Sequence, residues 1–402
     1  MKKRIAMTLA ALLLTGCVGC RSTATESVPV SKPSPVTKSG IVGSWAGSVE
    51  LNAELLIHAQ EYAVPTPNGW MRLSAEEKTI IRDVVKEIGA FQARSRLTIA
   101  ETGSYSLQPV GGDDLPAQLR TWESALIQRC DAALLPMRLQ KLCAERGIRE
   151  TDYLRFLGYD SLAAFQEARS AWTERCLVDD CFGLTGFVRK DCAYEVRDRQ
   201  LLCYSRGQNE NAVQSLGSDA AYFTLELRDG ILSVLSMENA LDEDRIFSVP
   251  SANSLADYAL QRDWLFRQED LWNKKTENDR RVYAYEVLQR SGHLCYVNYA
   301  DFLRRTYLAK YGAGCEARED YRADLTCLRD PETYRSNASV QAFLRQAEAL
   351  GFEVRYLEPA TYQNGRAKPG GTARLIAVDE TVLGFPRPAI PWLIPQSYSR
   401  EA

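Results

Sequence analysis

The sequence predicts an α+β fold: an antiparallel β-rich domain with helical insertions, followed by a smaller α+β domain. Three observations carry that expectation. Apolar residues alternate with polar ones in several runs between residues 43 and 236, each bounded by turn residues. Helical periodicity with capping signals interrupts those runs twice. Beyond about residue 250 helices and short strands mix, so the boundary is set there, with domains at 42–250 and 251–402.

The elements follow in order. "GIVGSWAGSVEL" predicts a strand from Gly43 to about Leu51. Ser74 and Glu77 form a capping box, and Ile81, Val84, Val85 and Ile88 follow at helical spacing. "SRLTIAETGSYSLQPV" is a hairpin about Glu101-Thr102-Gly103. Residues 112–180 are predicted helical, with Leu115, Leu119, Trp122 and Leu126 on one face. Within them Gly158 ends one short helix and Asp160 or Ser161 caps the next. "CAYEVRDRQLLCYSR" and "YFTLELRDGILSVLSM" return to strands, the second turning at Asp229-Gly230.

In the second domain, Leu255 to Trp272 reads as an aromatic-rich helix, and "RVYAYEVLQRSGHLCYVNYADFLRR" as a hairpin running into a helix. Ser339 begins a further helix with Val340, Phe343, Leu344 and Ala347 on one face and Gly351 as its stop. "FEVRYLE" and "TARLIAV" complete a sheet of about four strands. The last segment, "GFPRPAIPWLIPQSY", has four prolines, which exclude helix and central strand. It is expected as an extended arm whose Phe385, Ile390, Trp392, Leu393 and Ile394 pack across the second domain.

The strand carrying Gly43-Ser44-Trp45, followed by successive hairpins, resembles the opening of lipocalin-like barrels. The resemblance implies a closed antiparallel barrel with room for a small apolar ligand. A second resemblance lies at the start. Lys2, Lys3 and Arg4 precede an apolar run from Ile5 to Leu14, the layout of an export signal and too short to cross a bilayer. Leu14-Thr15-Gly16-Cys17 resembles the lipobox of bacterial lipoproteins: a branched apolar residue, two small residues, then cysteine. That family implies cleavage after Gly16, removal of residues 1–16 and lipidation of Cys17, in preference to Cys20. Residues 17–41 then carry the lipid and a flexible Ser/Thr/Pro-rich tether. Two or more acyl chains would hold the protein stably on a cell or outer membrane, facing the periplasm or the exterior.

Composition bounds the rest. Charged residues make up 25% of the 402, and the net charge of −3 argues against a nucleic-acid surface. Eleven cysteines suit an exported chain. Cys192 and Cys203 flank the "RDRQ" turn almost symmetrically, which predicts a cross-strand disulfide. Cys176–Cys181 and Cys315–Cys327 are further local candidates. No CxxC stands in the body and there are only two histidines, so neither a metal site nor any cofactor is implied. His293 and Cys295 share a strand face, but no orienting Asn or Asp accompanies them, so a disulfide cysteine beside a turn histidine is the expectation. Ser161 lacks the GxSxG elbow and reads as a helix cap, His58 as a packed or surface helical residue. Glu101, Asp229 and Asp242-Glu243-Asp244 read as turn and loop acids. No catalytic motif emerges. Two function classes remain: a surface-tethered lipoprotein that binds a ligand or partner, and an envelope hydrolase with a pair of carboxylates that sequence does not reveal. The first is preferred.

Overall fold

The computed structural model describes residues 38–66, 69–110, 114–179, 189–197, 200–207, 221–236, 294–357, 360–363, 366–369, 373–387 and 395–401, with isolated positions between 282 and 292. Eight antiparallel strands close into a barrel. They are β1 (Gly43–Leu51), β2 (Phe91–Ile99), β3 (Ser104–Val110), β4 (Arg189–Arg197), β5 (Gln200–Gly207), β6 (Ala221–Arg228), β7 (Ile231–Ser236) and, at the end of the chain, Ser397–Arg400. Each strand pairs with the next in sequence, and the last pairs with both β7 and β1. The expected α+β architecture with a lipocalin-like antiparallel barrel is therefore present.

Alternation along β2 explains why this sheet curls round a core. Phe91, Ala93, Ser95, Leu97 and Ile99 are buried, while Gln92, Arg94, Arg96 and Thr98 are exposed. Trp45, Leu107, Leu201, Leu225, Leu232 and Tyr398 join them in one cluster. Trp45 lies near the start of β1, its indole nitrogen donating to Ile41 O at 2.8 Å and the Arg400 guanidinium 5.6 Å from its ring. At Gly47 a Cβ would come within 2.6 Å of Pro395 Cβ and Ser397 O, so the closing strand seats against β1 only because residue 47 has no side chain.

The two ends of the barrel differ. At one end the strands turn back through the short connections 100–103, 198–199 and 229–230. Asp229 (φ 49°) and Gly230 (φ 76°) both adopt the left-handed conformation that a two-residue hairpin requires. At the other end every connection is long. Residues 52–90 carry α1 (Ala53–Ala63) and α2 (Ala75–Ile88). The next connection carries α3 (Asp114–Arg146), α4 (Glu150–Leu157) and α5 (Leu162–Asp179). The whole second domain lies between β7 and the closing strand, so it is an insertion into the barrel rather than an appendage.

That insertion contains β8 (Cys295–Asn298), α6 (Tyr299–Tyr311), α7 (Glu319–Thr326), α8 (Ala338–Ala349), β9 (Glu353–Leu357), a hairpin of β10 (Ala360–Gln363) and β11 (Arg366–Pro369), and β12 (Arg374–Asp379). β12 is the centre of a three-stranded antiparallel sheet between β8 and β9. The helix after Ser339 forms as expected, with Val340, Phe343 and Ala347 buried, although Asn337 is its cap. The hairpin expected before α6 is not formed as such: among the described residues of that segment Leu288 and Gln289 are helical, and Cys295–Asn298 is a strand. The predicted helix at 255–272 falls outside the described residues.

The C-terminal arm is corrected more substantially. Ser397–Arg400 does not cross the second domain but closes the barrel, with β1 on one side and β7 on the other. The proline argument excludes a sheet position up to Pro395 and not beyond it. Residues 388–394, with Ile390, Trp392, Leu393 and Ile394, lie outside the described residues.

Helix α3 joins the two cores. Its 33 residues extend about 50 Å at 1.5 Å per residue. Leu115 to Leu134 pack with the barrel cluster, while Leu135, Leu139, Leu142 and Cys143 pack with the second cluster around Phe156, Phe343 and Leu375.

Candidate functional site: the barrel mouth and its strap

The long-insertion end of the barrel is where chemistry-bearing groups gather. α1, α2 and the first half of α3 contribute Leu56, Ile81, Val85, Leu119 and Leu126 to the barrel cluster and so cover its mouth. Between β12 and the closing strand, residues 379–387 run back along α3 as an extended strap, from Asp379 beside Arg146 to Arg387 beside Glu123.

Charged side chains hold this strap. Arg146 makes a two-pronged contact with Asp379 at 2.7 and 3.0 Å, and Tyr153 OH donates to the same carboxylate at 2.6 Å. Arg138 Nη1 donates to Gly384 O at 2.6 Å, and its Nε bonds Glu77 at 2.6 Å. Phe385 N donates to Asp131 Oδ1 at 2.6 Å, and Asp131 Oδ2 pairs with Arg169 at 2.6 Å. Gln60 Nε2 donates to Pro386 O at 2.6 Å. Arg387 pairs with Glu123, whose side chain is wholly buried. Gly384 allows the close approach: a Cβ there would lie 2.3 Å from the Arg169 guanidinium carbon. Leu383 belongs to the second core and Phe385 to the barrel core, so the strap fastens one to the other.

Burial of so many charges is tolerated only where each is paired and hydrogen-bonded. Glu77 shows the balance: burial pushes its carboxyl up, but the Arg138 charge and hydrogen bonds from Ser74 and Arg138 outweigh this and hold it below the usual range. Asp131 also floors a cleft of about 230 Å³ between α3 and α5, lined by Gln128, Gln166, Glu167 and Ser170.

Of the residues that hold the strap, the sequence marks only Phe385, expected against the second domain but placed in the barrel core, and Glu77, expected as half of a capping box. The available signal was a set of charged positions at 123, 131, 138 and 146, spaced seven or eight apart and so on one stripe of a helix whose neighbouring positions are apolar.

The sequence-predicted candidates are dispersed. Cys17 and Cys20 lie outside the described residues, as do Cys181, His293 and Asp242-Glu243-Asp244; nothing is described of the Cys176 side chain. Cys192 and Cys203 both face the barrel interior, but the register places Tyr194 opposite Cys203 and Gly207 opposite Cys192. The predicted Cys192–Cys203 bridge is not formed: Cys192 Sγ donates to Lys190 O at 3.5 Å. A shift of register between residues 192 and 194 breaks the symmetry that the turn suggested. Cys315 and Cys327 are likewise thiols, donating to Glu316 and to Asp324 O.

Cys295 sits in the second core, where burial pushes its thiol up to about 12. It is protonated at neutral pH, the opposite of an activated nucleophile. Ser161 Oγ accepts from Ala164 N at 3.1 Å, the expected cap. His58 lies on α1, held below the ordinary imidazole value by burial. Among the described residues no cluster of His, Cys, Asp and Glu is arranged to hold a metal, and no helix is long and apolar enough to cross a membrane. Family models, curated proteins and solved structures return no match to the chain.

Proposed function

We propose that the protein is a lipid-anchored envelope protein, tethered through Cys17, whose body works by binding a partner rather than by covalent chemistry. The observation that carries the binding reading is the closed barrel with every long insertion gathered at one end. Such an arrangement presents a large composite surface on a rigid base. The filling of the barrel by Trp45, Tyr105, Leu107, Leu225, Leu232 and Tyr398 supports a protein partner over a small apolar ligand. The hydrolase alternative would use two buried carboxyls flanking a cleft. The buried carboxylates Glu123, Asp131 and Asp379 are each engaged by an arginine, which supports the binding reading instead.

The test combines anchoring and occupancy. Labelling with palmitate is expected for the wild type and lost in Cys17→Ala. Native mass spectrometry of protein released from membranes in mild detergent is expected to find a second polypeptide bound. A stoichiometric apolar small molecule would replace the partner reading with the ligand one, and turnover of envelope glycans would overturn both.

A further inference from the structure

Helices α3 and α5 pack side by side, and the cleft between them opens over Asp131. On the α3 wall Ile127 and Ala132 form a short apolar strip, with Gln128 beside them. Gln128 Nε2 donates to Ser124 Oγ at 3.1 Å and to Glu174 Oε1 at 3.3 Å, which fixes the amide and leaves its Oε1 as an acceptor. The α5 wall consists of Gln166, Glu167 and Ser170, three and four residues apart and so on one face. Among the described residues, none of these three side chains has a hydrogen-bond or ion-pair partner within the protein. Asp131, 6% exposed, closes the floor. Its oxygens take Phe385 N and Arg169 at 2.6 Å, and a carboxylate has lone pairs for further donors.

From this lining we propose that the α3–α5 cleft is a binding site for a small polyol bearing an amine, of the amino-sugar class. The volume sets the size. At about 230 Å³ the cleft lies below the roughly 300–1,000 Å³ of pockets for drug-sized molecules. It has room for about seven waters at ~30 Å³ each, or for a single sugar ring. The charge sets the class. Arg169 offsets Asp131, none of the lining residues is a lysine or arginine, and Glu167 leaves the cleft negative. An ammonium group therefore belongs against Glu167 and Asp131. Hydroxyls find the amides of Gln128 and Gln166 and the hydroxyl of Ser170, while Ile127 and Ala132 take the apolar face of the ring. A neutral sugar has no use for the charge, and an acidic one meets it with the wrong sign. A bare calcium ion wants six to eight oxygens and would find one free carboxylate and one already committed to Arg169. The site goes beyond the partner-binding reading and does not depend on the anchor. It is coupled to the strap, because the carboxylate on its floor also holds Phe385 N.

The test is calorimetric titration of the whole protein at neutral pH with glucosamine, glucose, glucuronate and calcium chloride as separate probes. Glucosamine is expected to bind saturably, one per chain, glucose several-fold more weakly, and glucuronate and calcium not at all. Glu167→Gln changes an exposed side chain, so the fold should survive, and it should bring glucosamine down to the level of glucose. Ser170→Leu, which fills the cleft, should abolish both. Amide exchange at Phe385 should slow when glucosamine is saturating, which places the bound molecule at Asp131. The proposal is overturned by the absence of saturable glucosamine binding, by equal binding of glucose, or by a preference for glucosamine that survives Glu167→Gln. Exchange at Phe385 that ignores glucosamine would mean binding elsewhere on the molecule, and saturable calcium binding that Glu167→Gln abolishes would make the cleft a cation site; either result also overturns it.

Discussion

Replacing Asp131 with Asn tests whether the strap is held by charge. The amide keeps an oxygen for Phe385 N, 2.6 Å away, but removes the negative charge that faces Arg169 at 2.6 Å. Arg169 is almost entirely buried, its side chain 3% exposed. Breaking a buried pair by neutralising one partner costs about 3–5 kcal/mol, because the remaining charge stays uncompensated. Asp131→Ala should cost about 1–3 kcal/mol more, since the Phe385 N–H then loses its acceptor as well. Against a total stability of about 5–15 kcal/mol these losses are large. Urea unfolding followed by circular dichroism reads them as a lower midpoint at unchanged slope. A local signature accompanies the global one. The strap leads into the closing strand, so amide exchange at 397–400 should accelerate more than exchange within the β2–β3 pair. Asp131→Leu combined with Arg169→Leu should recover part of the loss, as apolar replacement of a buried pair often does. An Asp131→Asn protein within about 1 kcal/mol of the wild type, with exchange at 397–400 unaltered, would refute the argument, because a buried pair cannot lose one partner so cheaply.

Three further outcomes are expected. Gly47→Ala should lower the thermal midpoint and open the barrel at its closing strand, because the new methyl would lie 2.6 Å from Pro395 and Ser397; a wild-type midpoint would show that the strand does not seat there. In native protein Cys203 and Cys295, both buried and both with thiols pushed up by burial, should resist alkylation until the chain unfolds; mapping that finds Cys203 linked to Cys192 would refute the register. Glu77, held below its ordinary value of 4.5, contributes stability that is present above that pH and is lost as pH falls through its folded value; Glu77→Gln should be less stable at pH 7 and should flatten the acid limb of a stability–pH curve, and an unchanged limb would count against the Glu77–Arg138 pair.

Most individual elements were legible in sequence because each rests on local physics. The capping box of Ser74 and Glu77 forms on both sides, since it needs only a serine and a glutamate three residues apart. The hairpins at Glu101-Thr102-Gly103 and Asp229-Gly230 form where turn chemistry put them. Leu115, Leu119, Trp122 and Leu126 all point into a core, as period 3.6 requires. The closing strand was not legible for the opposite reason. Ser397–Arg400 is four residues long and has Tyr398 as its one buried side chain, so no alternation could reveal it. Its partners are remote on both sides, Ile231–Ser233 on β7 and Trp45 and Ala46 on β1. Proline composition in the preceding segment argues against a sheet position, but only as far as Pro395.

The candidate site was less legible still, because it arises from pairing across distance. Glu123, Asp131, Arg138 and Arg146 on α3 look like ordinary solvated charges until residues 379–387 are laid beside them. Each then meets a group that no local pattern names: a guanidinium from Arg387, an amide from Phe385, a carbonyl from Gly384, a carboxylate from Asp379. The stripe has a clear consequence. The inserted domain leaves the barrel after β7 and returns through the strap, and α3 lies against both cores. A partner that engaged the insertion would load the strap, and the strap continues into the strand that closes the barrel. Two ion pairs, Glu123–Arg387 and Arg146–Asp379, and two charge-assisted hydrogen bonds to the strap backbone make that connection stiff, since leaving a buried charge without its partner is costly. The fold is therefore built so that the insertion and the barrel are stable together, and a change that unseats the strap should loosen the closing strand before it disturbs the β1–β2 pair, which is nine residues long on each side.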